Sequence, residues 1–392
     1  MSLAHREYDS DEARAIFELA AELAGKEIRP AAAAAEQAGA FPDRPFALLG
    51  EAGLMGLPYP EELGGGGQPY TVYLQVVEEL AGAWLAVGLG LSVHTLSCFP
   101  LATAGTREQQ ERWLPALLGG GQLGAYCLSE PSSGSDAGAL ATRAVRDGGE
   151  YVVDGVKAWI SHAGHADFYT LFARTSGNPE GRDRAQGISC LHVPAGTPGV
   201  SAAEPERKMG MRSSATAQMI FESARVPAGH LVGAEGGGFG LALAALDAGR
   251  LGIAACATGL AQAALDLAAG YARERRQFGR AIADFQGISF KLADMATAVA
   301  ASRALYLAAA RRRDAGVSFG PQAAMAKLFA SDTAMKVAIE AVQVLGGYGY
   351  VEDFPAERYL REAKVLQIVE GTNQIQRLII GRDLTRAPAP VR

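Results

Sequence analysis

The stretch GEYVVDGVKAWI, residues 149–160, is rich in β-branched and aromatic residues and carries Asp154-Gly155 between Val153 and Val156. A tight turn of the hairpin type needs positive φ at its central residues, so Asp-Gly at this point predicts a hairpin. Three more runs of the same character follow, FYTLFAR (168–174), GISCLHVP (187–194) and QMIFESARVP (218–227). Short strands with turn signals every ten residues or so predict a small β sandwich or barrel, here over residues 123–233.

Outward from that segment the character changes on both sides. Residues 1–122 form a predicted N-terminal helical domain, alanine- and leucine-rich, with Ile16, Leu19, Leu23 and then Tyr73, Val76, Val77, Leu80 at helical spacing. PEELGGGGQPY (60–70) and LPALLGGGQ (114–122) punctuate it as turns. Residues 234–392 form a predicted C-terminal domain in which Phe285, Ile288, Leu292, Met295 and Val299 make one apolar seam, as in an antiparallel four-helix bundle. RRRDAG (311–316) ends that helix, with cations at the negative end of its dipole and a glycine to cap it. A further helix is predicted over 321–345, and PAERYLREAKVLQIV (355–369) follows the glycine-rich LGGYGY; the last six residues are proline-rich. The fold class expected is therefore mainly α with a β middle domain.

Composition narrows the function. With 392 residues, 49% of them hydrophobic and 20% charged, the chain has enough apolar material for two or three packed units and a large site. A net charge of −6 gives no electrostatic reason to expect nucleic acid. Cys98, Cys127, Cys190 and Cys256 lie far apart, which suggests neither a disulfide framework nor a zinc site and fits a reducing compartment. Acidic residues near the start (Asp9, Asp11, Glu12) are wrong for a transit peptide, and no apolar signal core follows. The most apolar stretch, LGIAACATGLAQAAL (251–265), is shorter than a bilayer requires and reads as a buried helix, so a cytoplasmic protein without membrane insertion is expected.

Five stretches could carry chemistry. QIVEGTNQIQ (367–376) places Glu370 before a glycine between two helical runs, where a helix C-terminus disfavours a carboxylate and the next N-terminus welcomes it. YCLSEPSSGSDAGAL (126–140) reads either as a Ser-rich turn with Asp136 as a local cap, or as a loop offering several backbone N–H groups to a polar ligand. KAWISHAGHADF (157–168) sets Trp159 beside Ser161: a core tryptophan, or a flat ring for a planar cofactor. His162 and His165 lack the partners of a metal site, so no metal is expected. YARERRQFGRAIADFQ (271–286) clusters Arg273, Arg275, Arg276 and Arg280 around Phe278, either a solvated loop or a grip on phosphate and adenine. Asp247 and Arg250, three apart in LDAGRLG, make an ordinary helical ion pair or part of a site.

Taken in this order, YCLSEPSSGSD, KAWIS, RRQFGRAIADFQ, QVLGGYGY and EGTNQIQRLIIGR resemble the acyl-CoA dehydrogenase family of flavoenzymes over nearly the whole chain. The resemblance implies FAD as cofactor. Tyr126, Leu128, Ser129, Gly134 and Ser135 match the loop lining the isoalloxazine, with Ser135 also near the acyl-CoA, and Trp159, Ile160 and Ser161 match the strand against the ring's other side. Arg275, Phe278 and Gln286, with Gln343, Val344, Gly346 and Gly347, match residues that reach the adenine diphosphate part of an FAD held in a neighbouring subunit. A homotetramer, a dimer of dimers, is implied. Thr372, Asn373 and Gln374 match further FAD contacts, while Asp247, Arg250, Gly371 and Arg382 match positions about the thioester and its pantetheine arm.

Glu370 matches the general base, implied to take the α-proton while the β-hydride passes to flavin N5, giving a trans-2-enoyl-CoA and reducing an electron-transfer flavoprotein in fatty-acid β-oxidation. Removing that proton calls for a carboxylate in a dry pocket, where desolvation raises its pKa. In the branches resembling isovaleryl- and long-chain acyl-CoA dehydrogenases the base sits immediately before the arginine matched by Arg250; here Gly249 stands there, so the pattern looks short- or medium-chain, nearest the butyryl-CoA type. Two alternatives remain at this level: an acyl-CoA oxidase-like flavoenzyme, and a non-catalytic module that binds CoA or FAD.

Overall fold

The structure, a computed structural model, describes residues 6–177, 180 and 183–385; the proline-rich last six residues lie outside these. The N-terminal helices are α1 (Asp11–Leu23), α2 (Arg29–Ala38), α3 (Asp43–Glu51), α4 (Tyr70–Ala83), α5 (Leu85–Ala104) and α6 (Arg107–Leu118). Their ends follow local chemistry. Ser10 Oγ accepts from Ala13 N at 3.0 Å to cap α1, and Thr106 with Gln109 forms a reciprocal capping box on α6. The break between α4 and α5 is Trp84, whose extended backbone turns the chain while its indole N–H donates to the buried Glu36 at 2.9 Å.

Eight strands follow: β1 (Gly124–Cys127), β2 (Arg143–Asp147), β3 (Glu150–Ser161), β4 (Phe168–Arg174), β5 (Ile188–Pro194), β6 (Val200–Ala202), β7 (Thr216–Pro227) and β8 (Leu231–Val232). They form one sheet in the order β6-β7-β3-β2-β4-β5-β8, with β1 lying parallel to β4. One expectation fails here. Asp154-Gly155 is not a hairpin turn but an irregularity inside β3, where the register against β7 shifts between Val153 and Gly155. The turn lies earlier, at Gly148 and Gly149, between the paired Asp147 and Glu150. The same permissive backbone serves a bulge as well as a turn. Gly155 has φ of 152°, a Cβ there would come 2.5 Å from Thr142 Oγ1, and Asp154 Oδ1 accepts from Ser223 N to tie the bulge to β7.

The C-terminal part contains α7 (Gly238–Glu274), a short hairpin of β9 (Arg276–Gln277) and β10 (Arg280–Ala281), then α8 (Gln286–Asp314), α9 (Gly320–Leu345), α10 (Ala356–Leu366) and α11 (Asn373–Thr385). The predicted seam is present from Ile288 onward: Met295 and Val299 are buried and Ile288 and Leu292 pack against the same core, whereas Phe285 precedes α8 with an extended backbone and packs edge-on against Phe278. Gly316, in the left-handed region, closes α8 by donating to Arg313 O. The principal core joins α4, α5, α7, α8, α9 and α10, while a second sits within the sheet. Across the first, the wholly buried Glu78 of α4 accepts from Arg303 and Tyr306 of α8 and pairs with Arg6. That network draws the chain start and α8 onto α4, with the cost of burying Glu78 offset by two arginines and the Tyr306 hydroxyl.

The membrane reading needs one amendment. The apolar run at 251–265 belongs to the 37-residue α7, and both α5 and α7 are long and apolar enough to cross a bilayer. In this fold 89% and 61% of their apolar windows are buried against other elements, as core helices of a packed domain.

Candidate active site

The junction at Glu370 is built by its neighbours. Helix α10 ends at Leu366, α11 starts at Asn373, and Asn373 N donates to Gln367 O at 3.0 Å to close the loop between them. Glu370 itself adopts φ of 51°, an uncommon conformation for a side chain of its size, and Gly371 follows at 91°. Two buried side chains hold this bend. Gln376 Nε2 donates to Glu370 O at 3.3 Å and Gly371 O at 2.8 Å, and Lys327 Nζ of α9 donates to Gly371 O at 3.0 Å and Asn373 Oδ1 at 2.9 Å.

The bend sends the Glu370 carboxylate inward, away from either helix end. Both its oxygens are buried without a hydrogen-bond partner. The space it fills is the missing side chain of Gly249 on α7: a Cβ there would lie 2.1 Å from Oε2. Burial pushes its pKa up to about 7, with the Lys327 and Arg250 cations holding it back from rising further. Burial in turn pushes Lys327 down to about 8, against the pull of Glu370 and Asp332.

Two groups of expected residues gather near this carboxylate. Asp247 and Arg250 form an ion pair on α7, and Asp247 shares an open cleft with Arg382, Ser318 and Gly320. On another side Tyr126, at the end of β1, donates from its hydroxyl to Ala242 O of α7 at 3.1 Å and lies within the field of Glu370. The loop after it is tied to the Trp159 strand, since Ala158 N donates to Ser129 O at 2.9 Å. Leu128 and Ile160 are buried, whereas Gly134 and Ser135 face solvent. Trp159 has φ of 62° and stands 63% exposed, a large flat ring turned outward from a bulged strand end.

The remaining expected residues are elsewhere. Arg275, Phe278 and Gln286 sit just before, within and after the β9–β10 hairpin, where Phe278 is 93% exposed at φ of 50°. Arg275 lies over Tyr348, which places the hairpin beside Gly346 and Gly347; Gln343 is exposed and Val344 is buried. From Gly249 to Arg275 along α7 is about 39 Å at the helical rise. Within one protomer this second group is remote from Glu370. Thr372 and Gln374 flank the buried Asn373 at the start of α11.

Sequence reading missed the residues that hold the site together. Lys157 Nζ, wholly buried, donates to Glu130 Oε1 at 2.8 Å and Leu128 O at 3.1 Å, while Glu130 accepts from Ala141 N and Thr142 N. Burial alone would raise Glu130, but Lys157 and these donors bring it below its ordinary value. Lys327 was missed too. Its one sequence signal is a lysine on the alanine-rich face of a helix, too weak to assign a partner.

With the geometry in view, comparison with known proteins is decisive. Profiles for the acyl-CoA dehydrogenase N-terminal, middle and C-terminal domains match residues 10–121, 125–224 and 236–385. The chain belongs to the acyl-CoA dehydrogenase family. It is 48% identical over 364 residues to an acyl-CoA dehydrogenase of Bacillus subtilis, covering 93% of this chain and 95% of that one. Among solved structures it resembles butyryl-CoA dehydrogenase from Megasphaera elsdenii (TM-score 0.93, 38% identity, 97% and 100% covered). It also resembles a chain from the structure described as the electron transferring flavoprotein of Acidaminococcus fermentans (TM-score 0.94, 41% identity, 99% and 100% covered).

An acyl-CoA dehydrogenase uses FAD, and the residues present fit it. The outward indole of Trp159 beside Ser161 and the Ser129 loop offers a flat face next to hydroxyl and N–H donors, the donor set a flavin ring and its carbonyl edge require. Among the described residues no group of three His, Cys, Asp or Glu side chains is arranged to hold a metal ion.

Proposed function

We propose that this acyl-CoA dehydrogenase oxidises a short-chain acyl-CoA to the trans-2-enoyl-CoA, with Glu370 as the general base and an electron-transfer flavoprotein as the electron acceptor. The observation that carries the reading is the buried, unpartnered Glu370 carboxylate with its pKa brought to about 7 in space left by Gly249. A base poised there is ionised in a useful fraction at neutral pH and strong enough to accept a proton α to a thioester.

FAD, when bound, supplies the hydride acceptor. The chain supplies the rest. Glu370 takes the α-proton onto a carboxylate oxygen that no protein donor competes for. No hydrogen bond among the described residues uses the Glu370 backbone N–H, which leaves it free to donate to the thioester oxygen as negative charge develops. A donor so used is worth roughly 3 kcal/mol. Asp247, Arg250 and Arg382 border the cleft suited to the polar arm of CoA, and Lys327 with Gln376 fixes the bend so the carboxylate does not swing away. Ser129, Trp159, Ile160, Ser161, Thr372 and Gln374 are the proposed flavin contacts of this protomer.

The remoteness of Arg275, Phe278 and Gln343 from Glu370 supports an oligomer in which this hairpin completes a neighbour's FAD site, with a homotetramer as the proposed state. Four buried free thiols fit a cytoplasmic location. The test is an anaerobic titration of the FAD-loaded enzyme with butyryl-, isovaleryl- and octanoyl-CoA. Stoichiometric loss of oxidised-flavin absorbance, fastest with the short straight chain, is expected; no bleaching by any of them would reject the reading.

A further inference from the structure

We propose that Arg313, stacked on Tyr70, forms the end wall of the acyl pocket and sets the longest acyl chain this enzyme accepts, an inference that rests on the acyl-CoA reading above.

A narrow crevice of about 10 Å³, nearly closed as the side chains pack, runs between α5 and α7, so an acyl tail enters it by parting these walls. At one end its lining is Gly249 and Leu96, the residues against the Glu370 carboxylate. The other end is Tyr59, Tyr70 and Arg313. An acyl chain whose α-carbon meets Glu370 therefore points its tail at this trio. Burial pushes the Tyr70 hydroxyl up to about 12, and both Arg313 and Glu370 are near enough to act on it.

The wall is fixed by packing rather than by accident of a long side chain. Tyr70 donates to Ala248 O at 3.0 Å and Tyr59 to Thr95 O at 2.5 Å, so both rings are pinned to the helices that flank the cavity. The guanidinium carbon of Arg313 stands 3.8 Å from the centroid of the Tyr70 ring. Its backbone cannot drift, because the next residue, Asp314, accepts from Tyr70 N at 2.8 Å and Thr71 N at 3.1 Å, capping α4 from the end of α8. None of the ion pairs among the described residues includes Arg313, whose side chain is half-buried with its outer side toward solvent. A guanidinium spread on an aromatic face is held by cation–π attraction and closes the space behind the ring. Because Arg313 is itself partly exposed, its truncation is expected to lengthen the crevice at this end.

A methylene that meets a closed wall is discriminated by roughly tenfold or more. The experiment measures kcat/KM of the FAD-loaded enzyme for butyryl-, hexanoyl-, octanoyl- and decanoyl-CoA in the wild type, Arg313→Ala, Arg313→Gln and Tyr70→Phe, with bound-flavin absorbance as the folding control. The octanoyl to butyryl ratio is expected to rise by about tenfold or more in Arg313→Ala and by less in Arg313→Gln. Tyr70→Phe, which keeps the ring under the guanidinium but loses its hydrogen bond to Ala248 O, is expected to raise the ratio by less than Arg313→Ala. If Arg313→Ala fails to load flavin, Arg313→Gln decides on the same criterion. A ratio within about twofold of wild type in the folded arginine variants, or an equal rise in Tyr70→Phe, would overturn the end wall. Wild-type enzyme that turns over none of the four thioesters would instead reject the acyl-CoA reading itself.

Discussion

At the scale of the residue, the site depends on two positions that exclude each other. Glu370 reaches inward only because position 249 has no side chain, and a methyl there would overlap Oε2 at 2.1 Å. Gly249→Ala is therefore expected to displace the carboxylate at about 1–3 kcal/mol of strain, lowering the flavin-reduction rate about tenfold or more while circular dichroism stays native. Glu370 also couples pH to stability. Its folded pKa of about 7 stands above its ordinary 4.5, so the folded state is favoured while the group is protonated. That contribution is complete below the unfolded pKa and is lost as pH rises through about 7, reaching roughly 3 kcal/mol. Glu370→Gln should then match wild type in urea midpoint near about pH 4 and exceed it near about pH 8; a constant difference would contradict the burial argument. Glu370 was legible because its motif is local. Lys327 was not, since the atoms that retain a charged lysine inside α9, Gly371 O and Asn373 Oδ1, arrive from more than forty residues away.

At the scale of the element, the strand carrying Trp159 was legible and its bend was not. Periodicity identified the strands, but Asp154-Gly155 signals only that positive φ is tolerated. Whether a turn or a bulge results is decided by β7, which pairs on both sides of the irregularity. The same strand holds Lys157, whose burial against Glu130 and Leu128 O locks the Ser129 loop to the Trp159 segment. Lys157→Met leaves a buried carboxylate without its cation, and such losses cost about 3–5 kcal/mol. Denaturant unfolding should show a fall of that order, and FAD should be retained less well through dialysis. Unchanged stability with normal flavin content would mean that Glu130 protonates or rehydrates at little cost.

At the scale of the whole molecule, the three-part order of helices, sheet and helices follows from composition alone, because hydrophobic period changes from helical to alternating and back. Assembly is less visible in one sequence. The hairpin that presents Phe278 buries little of that ring inside its own protomer: it is 93% exposed on a positive-φ backbone, touched edge-on by Phe285, and remote from the Glu370 that its proposed FAD contact would have to serve. Phe278→Ala is expected to leave monomer helicity unchanged yet to lower FAD occupancy several-fold, read from the flavin to protein absorbance ratio. Equal occupancy would detach the hairpin from the cofactor. All of this converges on a buried carboxylate acting as a base, and one measurement addresses it most directly: the pH dependence of anaerobic flavin reduction by butyryl-CoA in wild-type and Glu370→Gln holoenzyme. The wild-type kcat/KM should rise through an apparent pKa near about 7, and the variant should bind the thioester, keep its FAD and lose about 10²–10⁴ in rate at every pH. A wild-type profile flat across that range, or near-normal reduction in the variant, would contradict the account.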